Sequence, residues 1–461
     1  MNCLIGIDIG TSAMKCILIS EEGKILGYDK EKNSLIYPLP ERVEFNADER
    51  YDQICRLIKS VLRYQPKNAK VLAISFSGAS GNTLLLNHDK KPIGNAISWQ
   101  DERAESDYPE LLKPFTDEHI HSVCGWPKIG SFPLACFSWI KKNQPEKYNL
   151  TKYFATDFIY FHYRLSGAWA IDTSTATNFY LQDQVKLNYY QPFLDFLDLK
   201  KEDLPEIVKS GKQIGSITPN ASKETNLPEG TPVIAGAFDH PSAARGAGMT
   251  KPGDLLLSCG TSWVGFLPVE CRDKILTEKM LIDPFLSPEG PWGAMFSFKS
   301  IGDDLNRYIK LLFNESHDCY KKFDKAVMAY NGEAKIPLFN LFQEAFSPAN
   351  YISFLQKDYG IPEISISIME SMAKMMYEKI ENLRNAGMDI NNVTMVGGFS
   401  ESKIWPRIIA RIFRMPVKLI RGEFAGCLGS AILAGTGVGL FKSESEGFKK
   451  INIKSEKVYP L

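Results

Sequence analysis

Residues 4–15 read Leu4-Ile5-Gly6-Ile7-Asp8-Ile9-Gly10-Thr11-Ser12-Ala13-Met14-Lys15, and a second apolar run, Cys16-Ile17-Leu18-Ile19, follows at once. Apolar residues lead into an acid, a glycine and two hydroxyls, then resume. The pattern predicts a β-hairpin whose turn receives an anion. Gly10 lets the backbone approach phosphate without interference from a Cβ, and amides and hydroxyls in such a turn can point at phosphate oxygens. Asp8, at a strand end, is placed to hold a hard cation directly or through water. An Asx-type turn closing an ordinary hairpin would use the same residue types.

The echo of this stretch matters more than either copy. Residues 254–266 read Asp254-Leu255-Leu256-Leu257-Ser258-Cys259-Gly260-Thr261-Ser262-Trp263-Val264-Gly265-Phe266, again strand, Gly-Thr-Ser, strand. Two similar domains would each offer one phosphate-binding hairpin to a cleft between them. A third glycine turn, Gly397-Gly398, follows the strand-like Asn392–Val396 and precedes a helix expected from about Ile404 to Phe413.

Composition bounds the rest. A chain of 461 residues is long for one core and suggests two or three domains. Lys+Arg and Asp+Glu are both 54, so the net charge is zero, which argues against nucleic acid or an anionic membrane as a partner held by bulk electrostatics. No apolar run approaches the roughly 20 residues that span a bilayer, and the N-terminus enters strand pattern at once, without a secretory signal. The nine cysteines are scattered without C-x-x-C or zinc spacing, and imply reduced, mostly buried thiols in a cytoplasmic protein. His119 and His121 suit a solvated or capping role.

Elsewhere, Asn46–Leu62 carries apolar residues at helical spacing, and Val71–Phe76 is a buried strand followed by the polar turn Ser77–Asn82. Leu134–Lys142, Phe158–Leu165 and Ile364–Arg384 read as helices, and Val233-Ile234-Ala235 as a strand. A helix over about Gly426–Leu433 is packed with small residues, which permit close approach to a neighbouring element or ligand.

The two hairpins and the Gly397-Gly398 turn resemble the phosphate-1, phosphate-2 and adenosine motifs of the sugar kinase, hsp70 and actin superfamily. Further stretches resemble the FGGY family of carbohydrate kinases: Pro92–Arg103, Leu165-Ser166-Gly167 with Asp172-Thr173-Ser174, Leu227–Val233 and Glu423–Ala431. The resemblance implies an α/β protein of two ribonuclease-H-like (actin-like ATPase) domains flanking a central cleft. It divides the chain into residues 1–245, binding sugar and carrying the first hairpin, and 246–461, binding ATP. It implies ATP-dependent phosphorylation of a sugar or polyol, with ATP and Mg²⁺ as cofactors and Asp239 in Gly236-Ala237-Phe238-Asp239-His240 as the catalytic base. A helix N-cap is the structural alternative for Asp239, because Pro241-Ser242-Ala243-Ala244 follows. The resemblance further implies Asp8 as metal ligand. It assigns Gly10, Thr11, Ser12, Lys15, Gly260, Thr261, Ser262, Gly397, Gly398 and Ser402 to the nucleotide, and Ser80, Gly81, Asn82, Trp99, Gln100, Asp239 and His240 to the sugar. A homodimer stays open.

The chain departs from the family pattern in places. Phe399 stands where a small residue is frequent, Ser402 replaces an asparagine near the adenine, and no Gly-Glu-Arg-x-Pro segment is recognisable where Ile336–Asn350 stands. Glycerol kinases carry Arg-Glu, and xylulose kinases Met-His, where Ser80-Gly81 stands here; Ser131 replaces a tyrosine of the glycerol-kinase group. The small residues predict a roomier pocket and a substrate of five or six carbons, a ketose or polyol. A xylulose-type kinase with an altered pocket is one alternative, and a non-catalytic sugar- or nucleotide-binding regulator is another. Trp99 is expected either in the core or facing substrate, and Asp101 and Arg103 as an internal ion pair.

Overall fold

The computed structural model describes residues 1–260, 263–298, 301–330, 336, 347–451 and 453–460. Ile336–Asn350 therefore lies largely outside the described residues. The chain forms two compact units, each drawn from several segments of the chain. One unit comprises Met1–Thr250, Cys271–Gly293 and Phe424–Ile453; the other comprises Lys251–Glu270, Ala294–Glu423 and Lys454–Leu461.

The first unit is built on a six-stranded sheet. Its strands are β1 (Asn2–Ile9), β2 (Ala13–Ser20), β3 (Ile25–Lys32), β4 (Lys70–Gly78), β5 (Gln213–Ser216) and β6 (Pro232–Phe238). They lie in the order β5-β6-β4-β1-β2-β3. β1, β4 and β6 are parallel neighbours, and the strands outside them pair antiparallel. The near-continuous apolar runs of β1 and β4 follow from burial on both faces. The predicted helix after β3 forms at Ala47–Leu62, and the Asn46 side chain caps it by accepting from the N–H groups of Asp48 and Glu49.

In the second unit the corresponding strands are β7 (Gly253–Cys259), β8 (Trp263–Val269), β9 (Trp292–Phe298), β10 (Ile390–Val396), β11 (Val417–Ile420) and β12 (Ser455–Val458). They run β9-β8-β7-β10-β11-β12. As in the first unit, a hairpin (β7-β8) lies beside two parallel strands, β10 and β11, with an antiparallel strand beyond. The internal echo read at Gly-Thr-Ser is thus an echo of whole sheets. The helix Ile361–Asn385 carries the methionines of this region, and Met369, Met372 and Met376 are buried core fillers.

The helix Ala425–Gly437 returns to the first unit and lies against β1 and the helix Asp239–Ala247. Its small residues serve this approach. A Cβ on Gly429 would stand 1.9 Å from the Ser242 carbonyl oxygen, one on Gly246 2.0 Å from that of Ala425, and one on Gly6 1.9 Å from that of Cys427. Leu428, Ala431, Ile432 and Ala434 then bury with Leu4, Ile17, Ile19 and Ile234 in one core.

All nine cysteines are unbridged, and Cys271 alone is exposed. The solvated or capping role expected of the two histidines fails for His121. His121 is buried, with Nε2 at 2.8 Å from the Met280 carbonyl oxygen, and half-buried His119 bonds the Tyr190 hydroxyl at 3.2 Å. His121 is covered by the segment carrying Met280, whereas His119 packs against Phe115 and Tyr190. Among the described residues, no helix is long and apolar enough to cross a membrane.

Gly429→Ala should destabilise the protein by about 3 kcal/mol or more, at or beyond the upper end of ordinary overpacking, because the nearest atom to displace is the Ser242 backbone carbonyl oxygen at 1.9 Å, with the Ser242 hydroxyl at 2.6 Å. Calorimetric melting tests this, and an unchanged midpoint would contradict the packing described.

Candidate active site

Register brings three strand ends into one row. Ile9 of β1 pairs with Gly78 of β4, and Gly78 pairs with Phe238 of β6. The segments that follow are the Gly10–Ser12 turn, the Ala79–Asn82 loop and Asp239. Ligands of α/β sheets bind outside the carboxyl ends of the strands, so this edge gathers the predicted first-unit residues. A register shift between Ile234 and Ala237 re-aims the end of β6, and Gly236 allows it: a Cβ there would lie 1.6 Å from the Phe76 carbonyl oxygen.

Asp8 faces Lys15 across the hairpin, with Nζ 3.8 Å from Oδ2, and its Oδ1 accepts the Ser77 hydroxyl at 3.3 Å. The start of the helix Ala425–Gly437 abuts it, since a Cβ on Gly426 would stand 2.8 Å from the Asp8 Cγ. The side chain keeps 14% exposure. Burial pushes its carboxyl above the usual range and the Asp239 charge adds to this, while Lys15 and the Ser77 hydrogen bond oppose it. Among the described residues no group of three or more His, Cys, Asp or Glu could hold a metal. A lone carboxylate of this kind suits a magnesium ion that takes its other oxygens from phosphate and water.

Asp239 opens the helix Asp239–Ala247, but Phe238 occupies the N-cap position and no side chain caps the helix. The capping alternative is therefore not realised. The Asp239 carboxylate accepts the His240 N–H at 2.6 Å, has the His240 ring 3.8 Å away, and remains 28% exposed. Sequence reasoning missed what holds this helix. The Phe238 N–H donates to the Ser174 hydroxyl at 3.1 Å, which donates to Asp283 at 2.6 Å. Asp283 also accepts the Phe285 N–H at 2.7 Å. Arg245, fully buried, donates to the carbonyls of Pro241 and Phe285 and to Glu444 at 2.8 Å. Residues 271–293 and 424–453 thus brace the Asp239 helix from behind.

The substrate loop is more closed than its small residues predict. Gly81 has φ +98°, and a Cβ would stand 2.3 Å from the Phe132 ring. The space vacated at Ser80-Gly81 is filled by Phe132, so the roomier-pocket argument does not hold at this position. Ser80 and Asn82 are each 2% exposed. Ser80 donates to Asn178 at 3.1 Å; Asn82 donates to Asp157 at 3.0 Å and accepts the Trp99 N–H at 3.0 Å. Asp157 pairs in turn with buried Arg50 at 3.5 Å. Ser80 and Asn82 therefore build the loop and present no hydroxyl partner outward. Trp99 is half-buried and outside the core, and its indole N–H donates to Thr11 Oγ1 at 3.2 Å. Gln100 is exposed and His240 half-buried. Asp101 and Arg103 form the expected internal pair, in two bonds of 2.7 and 2.8 Å, and Arg103 also reaches Glu44 at 2.7 Å.

In the second unit, Gly260 and Gly397 follow the neighbouring strands β7 and β10, whose ends pair Ser258 with Val396. Gly397 has φ +93°, and a Cβ would lie 2.6 Å from the Cys259 carbonyl oxygen, whereas Gly398 is exposed with open space where a Cβ would stand. Thr261 and Ser262 lie outside the described residues. The Ser402 hydroxyl donates to Asp324 at 2.9 Å and accepts the N–H groups of Ile404 and Trp405, each at 3.2 Å, so it works as a local clamp at the helix Trp405–Phe413. Phe399 packs against Trp263 and Trp405, with centroids 5.3 and 6.0 Å apart, which explains a large residue after the two glycines.

The fold and this set of turns are those of a phosphotransferase acting on a small alcohol. The sequence matches the N-terminal domain of the FGGY family of carbohydrate kinases over residues 3–246 and its C-terminal domain over residues 255–438. The chain belongs to the FGGY family of carbohydrate kinases and is an ATP-dependent sugar kinase. It is 27% identical to a xylulose kinase of Bacillus subtilis over 100% of this chain and 93% of that protein. Its fold superimposes on the crystal structure of xylulose kinase from Rhodospirillum rubrum with a TM-score of 0.87 at 20% identity, covering 100% of this chain and 94% of the other. The ligand-bound xylulose kinase of Lactobacillus acidophilus matches with the same TM-score, 0.87, at 21% identity and the same coverage, 100% and 94%.

A raised carboxyl pKa means that the folded chain binds this proton more readily than the unfolded chain does. The ionised Asp8 therefore costs stability above the unfolded pKa of about 4, and the cost vanishes below it. Asp8→Asn should raise the melting temperature of the ligand-free protein at pH 7, and the gain should disappear as the pH falls toward about 4. Melting curves across this range check it; a loss of stability at pH 7 would contradict it.

Proposed function

We propose that Asp239 is the general base of phosphoryl transfer and that the substrate is a five-carbon 2-ketose of the xylulose type. The observation that carries the first part is the Asp239 carboxylate, braced through Phe238 and Arg245, left out of the helix cap and open to solvent at the edge where β1, β4 and β6 end. A sugar hydroxyl is a weak nucleophile. A carboxylate within hydrogen-bond reach takes its proton as the oxygen attacks the γ-phosphorus, and ADP leaves.

Asp8 would hold the magnesium ion of the nucleotide, which would offset charge on the phosphate oxygens. The Gly10–Ser12 turn and Lys15 bind the phosphates, and Gly260, Gly397 and Gly398 give the nucleotide backbone access without Cβ atoms. Trp99, Gln100 and His240 face the sugar, and the buried Ser80-Gly81-Asn82 loop with Phe132 shapes the wall behind it. The ketopentose reading is supported by relatives named xylulose kinase that align with nearly the whole chain. It also suits a loop without the long charged residues of glycerol kinases. Unbridged, mostly buried cysteines suit a reducing compartment, and we place the activity in the cytoplasm.

Asp239→Asn should lower kcat by about 10²–10⁴-fold while nucleotide affinity stays near wild type, because the amide keeps the size but cannot take the proton. Turnover within about threefold of wild type removes Asp239 from this role.

For substrate, kcat/KM should be highest for a ketopentose when D- and L-xylulose, ribulose, hexuloses, pentitols and glycerol are compared under one Mg·ATP condition. Sites that hydrogen-bond a hydroxyl discriminate strongly against analogues lacking it. A panel led by glycerol or a hexulose overturns the substrate assignment and leaves the kinase assignment standing.

A further inference from the structure

Asn33, which follows β3, makes three hydrogen bonds to the turn of the first hairpin. Its side-chain amide donates to the carbonyl oxygens of Gly10 at 2.6 Å and Thr11 at 3.0 Å, and its own backbone N–H donates to that of Ser12 at 3.0 Å. Three successive carbonyls of residues 10–12 are therefore drawn to one side of the turn.

The peptide group makes this consequential. In a planar trans peptide the C=O and the following N–H point in opposite directions. Drawing the Gly10 and Thr11 carbonyls toward Asn33 turns the N–H groups of Thr11 and Ser12 away from it. Neither N–H has a hydrogen-bond partner among the described residues. Successive backbone N–H groups aimed outward form a concavity for anions. An unrestrained turn could rotate its carbonyls toward the same space and repel a phosphate. The side-chain orientation follows from the contacts, because two carbonyls at this distance require an N–H₂ group and not its oxygen. The Asn33 Oδ1 is buried without a partner.

We propose that Asn33 is a positioning residue for ATP: it sets the direction of the Thr11 and Ser12 amides that receive the nucleotide's terminal phosphates. The proposal rests on the reading of this hairpin as a phosphate site. Asn33 acts through the backbone and does not touch the nucleotide, so its effect falls on phosphate binding and not on the sugar.

The test compares Asn33→Ala, Asn33→Asp and Asn33→Gln in the full chain, with KM and kcat measured separately for Mg·ATP and for the sugar found best in the substrate panel. Asn33→Ala should raise the KM for Mg·ATP about tenfold or more, in keeping with hydrogen bonds to a charged group. Asn33→Asp, which sets an anion against two carbonyls, should raise it further, and Asn33→Gln, which keeps the donors, should recover part of the loss. The sugar KM should stay within about twofold, a split that general loosening of the fold would not produce. Equal losses in both KM values, or an unchanged KM for Mg·ATP in both Ala and Asp variants, overturn the proposal. Lys15→Ala and Asp8→Asn run alongside locate the failure. If they impair use of Mg·ATP while the Asn33 variants do not, the clamp is wrong. If none of them does, the hairpin itself is not the phosphate site.

Discussion

Backbone meets backbone where the helix Ala425–Gly437 crosses the helix Asp239–Ala247 and β1, and the first unit is arranged around that contact. Gly6, Gly246 and Gly429 each stand where a Cβ would enter a carbonyl oxygen at 2.0 Å or less. The approach fixes the two acids of the site together. Asp8 lies at the end of the strand on one side and touches Gly426, while Asp239 begins the helix on the other. Side chains of ordinary size at these glycines would separate the elements and the two carboxylates with them. The small residues of this helix are thus a geometric specification as much as a packing convenience.

The same closeness explains the electrostatics. An acid packed against a helix start, with one lysine and one hydroxyl for company, is held above its usual pKa because burial outweighs the partners it has. A protein selected for stability alone would not keep a charge there. Function and stability pull apart at sites of this kind.

Much of this was legible from local pattern. Both hairpins are apolar runs interrupted by glycine and hydroxyls, and the helices Ala47–Leu62 and Ile361–Asn385 match their apolar spacing. Asp239 stands out through the resemblance carried by Gly236–His240, whereas local pattern alone fits a helix N-cap equally well. What sequence reasoning missed is non-local. Phe132 fills the space left by Gly81 from 51 positions away in the sequence, Phe399 is large because Trp263 and Trp405 enclose it, and Asn33 reaches back across two strands to the turn at residues 10–12. Ser80 and Asn82 illustrate the same limit. Their chemistry suits a sugar hydroxyl equally well, and only burial shows that Asn178, Asp157 and Trp99 already use it.

The threading of the chain has a consequence for biosynthesis. The first unit takes segments from residues 1–250, 271–293 and 424–453. Its sheet can pair as soon as β6 has been made, yet Leu4, Ile17 and Ile234 lack their cover until the helix Ala425–Gly437 leaves the ribosome. Through that interval, the synthesis of roughly 200 further residues, at a translation rate of about 5–20 residues per second, an apolar face waits uncovered. Asp8 and Asp239 are therefore brought together around Gly426 and Gly429 only near the end of translation.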